Sequence, residues 1–497
     1  MSPLKQLFGQ TAVYGMSGII GRVLNYLLVP LYTRVFTTEQ YGIVTEMYAY
    51  VSFLVILLTY GMETSFFRFY SNHTDKEKVY NTTLISLIAS SLLFLLFASL
   101  FSSGIGAWLH YPDHSEYVIW FAVIVSLDAI AAIPFAKLRA LNKIKNFFRI
   151  NFANIIVNIG LNLFFLVYCK ENYENGEGGG WLVQTCYNPE IGVGYVFISN
   201  LVASIVKIIL LVPWMMTVKA VFDFLLWKNM MRYALPLLIA GIAGIVNENA
   251  DRIMLKHILV ARDGAKSALE QVGIYGACYK VSIIISLFIQ AFRFAADPFF
   301  FSRQSDKNAK KTYSDVLTYF VVACLFIFLV IMLFIDTVMY FVGSDFREGV
   351  TIVPVLLIAN ICLGIYFNLS FWYKLTGKTE YGAYIAIFGA VITVFLNYLW
   401  IPVYGYMGSA WATCICYFAM MLISYFLGRK HYPVNYQVGK ISLYAVITAI
   451  ILLIHRYAVP ENWNSSAAGI ALLLIFAGFF FFTERKTLFI KSTVNGN

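Results

Sequence analysis

Apolar residues fill this chain in long blocks, with short polar links between them. A membrane-crossing helix needs about 20 mostly apolar residues. Fourteen runs of that kind occur, centred near residues 20, 55, 93, 126, 158, 204, 246, 285, 328, 361, 391, 417, 448 and 473. No link is long enough to hold a soluble domain. The pattern predicts an all-α polytopic membrane protein with about 14 transmembrane helices, whose work is done within or across the bilayer.

Composition narrows this further. Of 497 residues, 60% are hydrophobic and 12% charged, at a mean hydropathy of +0.73. So few charges could not cover a soluble protein of this length. The net charge of +10 is spread over many links and forms no basic patch, so it does not read as a nucleic-acid surface. It reports orientation instead. With the N-terminus inside, the tails and even-numbered links carry 24 Lys and Arg, including those of KLRALNKIKNFFR (137–149) and SRQSDKNAKK (302–311). The opposite side carries 7: Arg34, Lys170, Lys256, Arg262, Lys266, Arg347 and Arg456. Both termini are therefore expected in the cytoplasm. The first run continues from Lys5 to Tyr32 without a small-residue cleavage site, which reads as a retained helix.

Two links have character of their own. Residues 170–191 are acidic and Gly-rich (ENYENGEGGG), the composition of a flexible hydrated loop. Cys169 and Cys186 bracket most of it on the oxidising side, either as a disulfide or as two free thiols. The other cysteines lie in or beside apolar runs as small hydrophobes, and no spacing suggests a metal site. Residues 219–232 (KAVFDFLLWKNMMR) place Val221, Phe222, Leu225, Leu226 and Met230 at helical spacing, as an amphipathic helix on the inner membrane face.

Charges inside the runs are the candidate chemistry. Each central Asp, Lys or Arg costs roughly 2.5–3.5 kcal/mol on insertion scales, so such residues face a bundle interior or a water-filled cavity. The densest cluster is IVNENADRIML (245–255), with Asn247, Glu248, Asn249, Asp251 and Arg252. Glu248, Asp251 and Arg252 share one helical face. Elsewhere stand Arg22, Asp128, Lys207 and Lys280, and Arg293 with Asp297 at i,i+4; Glu46 and Glu63 lie nearer the ends of the second run. For several of these a structural ion pair competes with a functional role. Most of the acids have a cation within a turn, whereas Arg22 and Lys280 have no acid at helical spacing. An unpaired cation in a cavity suits a phosphate or diphosphate group.

The chain also repeats itself. Tyr41-Gly42-Ile43 with Tyr48 recurs as Val272-Gly273-Ile274 with Tyr279, at an offset of 231, and a shift of 230 carries Arg22 onto Arg252. The copies have the same orientation and would be related by an axis along the membrane normal. The expected division is an N-terminal lobe (1–218), a linker (219–232), a C-terminal lobe (233–430), and two extra helices with a cytoplasmic tail (431–497).

The segments GRVLNYLLVPLYTRVFTTEQYG, RYALPLLIAGIAGIVNENADRIML and GIYGACYK resemble the polysaccharide or O-antigen repeat-unit flippases of the multidrug/oligosaccharidyl-lipid/polysaccharide exporter superfamily. The resemblance implies two six-helix lobes around a central cavity with alternating access. Its implied cargo is an undecaprenyl-diphosphate-linked oligosaccharide, moved from the inner to the outer leaflet of the cytoplasmic membrane. Arg22 and Arg252 would contact the diphosphate, with Lys280 and Arg293 as further candidates. Transport in this superfamily is driven by an ion gradient or the membrane potential. Asn247, Glu248, Asp251, Asp128 and Asp297 are the candidates for a proton or sodium ion; no other cofactor is implied. A polysaccharide polymerase and other assembly proteins are the expected partners. Fourteen helices resemble the lipid II flippase branch, so that cargo stays open. A drug/cation antiporter would show uncompensated carboxylates instead, and a membrane polymerase or ligase would need a larger outer loop with basic residues.

Overall fold

The computed structural model describes residues 21–175, 180–216, 221–302, 306, 308–459 and 465–494. Among them the regular structure is helical throughout. Among the described residues, twelve helices are long and apolar enough to cross a membrane. One of these belongs to a 79-residue helical run, Phe224–Ser302, that is interrupted at Gly264. Straight, it would extend about 120 Å, several times the ~30 Å of a hydrocarbon core. It folds back at Gly264, whose φ of 82° and ψ of 164° only glycine adopts without strain. Two crossings therefore replace one, and with the described end of the first run the total reaches the expected number of about fourteen.

We number the crossings in chain order. The first, α1, is seen as helical residues 21–26 followed by Val29–Val35. Then come α2 (Thr38–Asn72), α3 (Lys76–Leu100), α4 (Ser115–Ala140), α5 (Ile144–Glu174) and α6 (Gly194–Met215). The long helix gives α7 (224–263) and α8 (265–302). After it follow α9 (Ala309–Leu333), α10 (Ser344–Leu375), α11 (Glu380–Tyr404) and α12 (Tyr406–His431). The chain ends with α13 (Val438–Tyr457) and α14 (Ser465–Val494). These last two pack against α9, tied by the buried Glu484 of α14, which pairs with Lys440 and accepts from the Tyr444 and Tyr319 hydroxyls.

Helix α2 joins the two halves. Its start is fixed by a capping box: Thr37 Oγ1 accepts from the Gln40 amide and Gln40 Oε1 from the Thr37 amide. That start sets Gly42 against α8. A methyl at Gly42 would collide with the Leu269 carbonyl, and one at Gly273 with the Thr38 carbonyl. The contact is reciprocal, because Thr38 and Leu269 stand at the same offset of 231 as Gly42 and Gly273. Such self-complementarity is what a two-fold relation requires, and small residues at the crossing permit the approach. At this crossing the sequence repeat is matched by a reciprocal contact between α2 and α8.

Near Gly264 the halves are sealed. Arg34 donates to the Tyr340 carbonyl at 2.7 Å, the Gly343 amide donates to Thr33 Oγ1 at 3.0 Å, and Tyr26 stacks on Phe341 at 4.4 Å. Toward the other end, α2 bends at Tyr60-Gly61 and packs on α7 instead, where Ser65 donates to the Met230 carbonyl and Arg68 lies over the Tyr233 ring.

Three local expectations are corrected. Residues 224–232 are not a separate amphipathic helix but the first turns of α7. Leu226 and Met230 are buried against α2, α3 and α4, and Asp223 accepts from the Leu226 amide and pairs with Lys78. Those two donors hold Asp223 below the usual carboxylate range. Residues 170–191 are not an open loop in their described parts: Lys170–Glu174 and Gly180–Cys186 are helical, and Tyr187 stacks on Tyr195, which stacks on Phe165. Aromatic packing overrides the polar composition there. Lys256, assigned by sequence to an outer link, is fully buried within α7, because the helix continues past it to Gly264.

Candidate functional site

Between the two halves lies a cavity of about 400 Å³. Its walls come from α1, α2, α5, α6, α7 and α8, so neither half encloses it alone. Asn25, Asn154, Asn158 and Asn200 supply one polar side, and Glu248, Asn249, Arg252, Tyr279 and Lys280 the other. Tyr48 and Tyr279, equivalent in the repeat, both face it.

Arg252 is the best-positioned group. Its Nη1 donates to Asn249 Oδ1 at 2.6 Å and to the Glu248 carbonyl at 2.8 Å, and its guanidinium lies 4.3 Å from the Tyr279 ring centroid. The neighbouring carboxylate of Asp251 is 3.6 Å from Nη1 and is otherwise engaged, accepting from the Arg252 amide and the Tyr275 hydroxyl. The head group is thus held in place largely by neutral oxygens and a ring. A guanidinium fixed this way keeps donors for a planar anion. Lys280 lies two turns along α8 from Gly273, lines the same cavity, and forms no ion pair among the described residues. Glu248 also lines the cavity and is exposed there.

The other sequence candidates are placed elsewhere. Arg22 is exposed, one turn before the cavity-lining Asn25, and is not part of the wall. Arg293 lies farther along α8, with its guanidinium 4.1 Å from the Phe367 ring centroid. The side chain of Asp297 falls outside the described residues. Asp128 is turned into the N-terminal half, 2.5 Å from Lys207 Nζ and accepting from Ser204. These two are partners and not lone charges. Asn247 faces α11 and α12, donating to the Ala386 carbonyl and accepting from Thr393, while its own carbonyl accepts from Tyr417. Cys169 is buried and Cys186 exposed, and both stand as free thiols in this structure.

Sequence reasoning passed over the asparagines. Each lies in an apolar run, where a neutral polar side chain costs less than a charge but still needs a hydrogen-bond partner. Asn154 and Asn158 are four apart on one face of α5, a signal of a polar wall. It also noted Glu46 without its partner. Glu46 and Lys256, both with no exposure, meet at 2.6 Å between α2 and α7. No spacing rule connects residues 210 positions apart.

Solved structures share the architecture. The lipid II flippase MurJ in an inward closed conformation aligns with a TM-score of 0.72 at 15% identity, over 96% of this chain and 98% of that one. An inward-facing multidrug resistance MATE family transporter of the MOP superfamily aligns with a TM-score of 0.59 at 13% identity, over 85% of this chain and 94% of that one. An outward-facing multidrug resistance MATE family transporter gives 0.57 at 13% identity, over 86% and 94%. At these identities the likeness is one of fold. A search of curated proteins finds no match. Sequence carries the family itself: the polysaccharide biosynthesis protein model matches residues 7–304, more than half of the chain, and the protein belongs to that family.

Proposed function

We propose that the protein is a flippase, carrying an undecaprenyl-diphosphate-linked oligosaccharide from the inner to the outer leaflet of the cytoplasmic membrane by alternating access. The observation that supports this most is the cavity between the halves, where Arg252 and Lys280 stand among neutral hydrogen-bonding side chains. A diphosphate needs fixed cations, and a glycan needs amides and hydroxyls. A polyprenyl tail needs neither and stays in lipid. With both termini cytoplasmic, the sealed end is the outer one and this state faces inward. Arg22 and Arg293 then lie between the cavity and the cytoplasm, where a head group would first meet positive charge.

Movement of the halves needs no covalent chemistry, so an ion gradient or the membrane potential supplies the drive. Glu248 has its carboxylate exposed in the cavity and is the leading coupling candidate, with Asp251, Asn247, Asp128 and Asp297 behind it. A second reading, lipid II as cargo, draws on the lipid II flippase likeness, which covers 96% of the chain and so includes α13 or α14. Reconstitution separates the two. Proteoliposomes containing labelled undecaprenyl-diphosphate oligosaccharide should lose label to an external quencher only when the protein is present. Movement of lipid II in its place would establish the second reading, and movement of neither lipid would sink both.

A further inference from the structure

The Glu46–Lys256 pair is absent from the cavity wall, yet it is the most deeply buried ion pair joining the two halves among the described residues. Lys256, from α7, enters a pocket made by the N-terminal half. Its Nζ donates to Glu46 Oε2 and to the Leu109 carbonyl, each at 2.6 Å, and lies 3.7 Å from the Tyr111 ring centroid. The Tyr111 hydroxyl donates to the same Glu46 oxygen. Glu46 Oε1 is buried and has no hydrogen-bond partner among the described residues.

A line of titratable groups runs from beside Glu46 to the surface. Tyr50 stands one turn along α2 from Glu46, and its hydroxyl is 2.6 Å from His257 Nε2. His257 is half-buried beside Trp108, and its ring is 5.8 Å from that of the exposed His110. Around the pair, Tyr117 of α4 lies beside Tyr111, and about one turn back along α7 from Lys256 stand Arg252 and Asp251, the latter accepting from Tyr275 of α8.

We infer that Glu46 is a proton-binding group that latches the sealed end, loaded through His110, His257 and Tyr50 from the side on which Gly264 lies. With Glu46 ionised, the ammonium is neutralised and the halves stay together. A proton on Oε1 cancels that charge and leaves Lys256 buried with only a carbonyl and a ring as compensation. The ammonium then regains a favourable environment by leaving the pocket, which separates α7 from α2 and opens the sealed end. This deepens the flippase reading by naming an ion and a gate, and it rests on that reading for its place in a transport cycle.

The test uses no cargo, so its failure is distinct from failure of the flippase reading. Spin labels on Asp113→Cys and Asp345→Cys, with Cys186→Ser, report the width of the sealed end in the full-length protein by pulsed electron resonance. Lowering the pH should shift the wild-type distance distribution toward a wider state. Glu46→Gln should hold that wider state at neutral pH, raising its population ratio by about tenfold or more, and should remove the pH response. Glu46→Leu with Lys256→Met, which removes both charges, should return the narrow distance and stay indifferent to pH. If Glu46→Gln matches the wild type in distance and pH response, or if the double variant still widens with acid, the latch is excluded.

Discussion

Arg252 and Lys256 stand one turn apart on α7, each beside an acid, and their surroundings differ completely. Lys256 is closed in by a carboxylate, a carbonyl and a ring, with no exposure. Arg252 is steadied by an amide oxygen, a carbonyl and the Tyr279 face, and its side chain reaches the cavity. One cation is fully compensated and joins the halves; the other keeps capacity for an anion. Charge in an apolar helix therefore does not by itself mean substrate binding. What separates the two roles is whether the partner's charge is already engaged.

The comparison can be broken at either residue, and Lys256 gives the larger effect. Removing one partner of a buried pair costs about 3–5 kcal/mol, so Glu46→Ala or Lys256→Ala should lower the unfolding temperature of the purified protein substantially. Replacing both by apolar residues of similar size should restore most of it. If the single variants unfold like the wild type, the pair does not hold the halves together.

Arg252→Ala leaves the buried Asp251 short of a cation. It should lower the unfolding temperature, though less than breaking Glu46–Lys256, because Asp251 keeps the Tyr275 hydroxyl as a donor. Its distinctive effect is on cargo. Losing charge-assisted hydrogen bonds worth about 1.5–3 kcal/mol corresponds to roughly a ten- to hundredfold loss of affinity for a diphosphate. Arg252→Lys should recover only part, because an ammonium cannot make the paired contact. Equal recovery by Lys would show that a point charge suffices.

The glycine crossing sharpens the same contrast between sealing and binding. Gly42→Ala or Gly273→Ala forces a methyl against a carbonyl and should destabilise the sealed state by about 1–3 kcal/mol. Distance measurements across the two halves would detect the separation, while affinity for a diphosphate head group should change much less.

The smallest effect is expected at Asp223. Its carboxylate is held below its ordinary range by the Leu226 amide and Lys78, so its contribution is present above the unfolded carboxylate pKa and lost as pH falls through the lower folded value. Asp223→Asn should flatten the acid limb of the stability profile slightly and leave transport intact. An unchanged acid limb would remove that contribution.

Much of this architecture is legible in the sequence. The apolar runs specify the crossings, because lipid forces backbone hydrogen bonds to be satisfied within each helix. The α7 cluster stands out because charge there is costly. Gly42 and Gly273 are recognisable as a repeated pair, but their contact depends on how the two copies dock. Lys256 is misread because a basic residue near the end of an apolar run looks like an interface anchor. Its true environment comes from Glu46 and from Leu109 and Tyr111, all distant in the chain. Arg22 shows the converse: it matches Arg252 in the repeat, yet it lies outside the cavity wall in this state.

The central claim is that the cavity between the halves grips a lipid diphosphate through Arg252 and Lys280. Equilibrium binding of undecaprenyl diphosphate to the purified protein in detergent tests it most directly, with wild type, Arg252→Ala, Lys280→Ala and the double variant compared at one ionic strength. Binding should weaken by roughly tenfold or more for Arg252→Ala, and further for the double variant, with each protein still folded. Wild-type affinity in the double variant would contradict it.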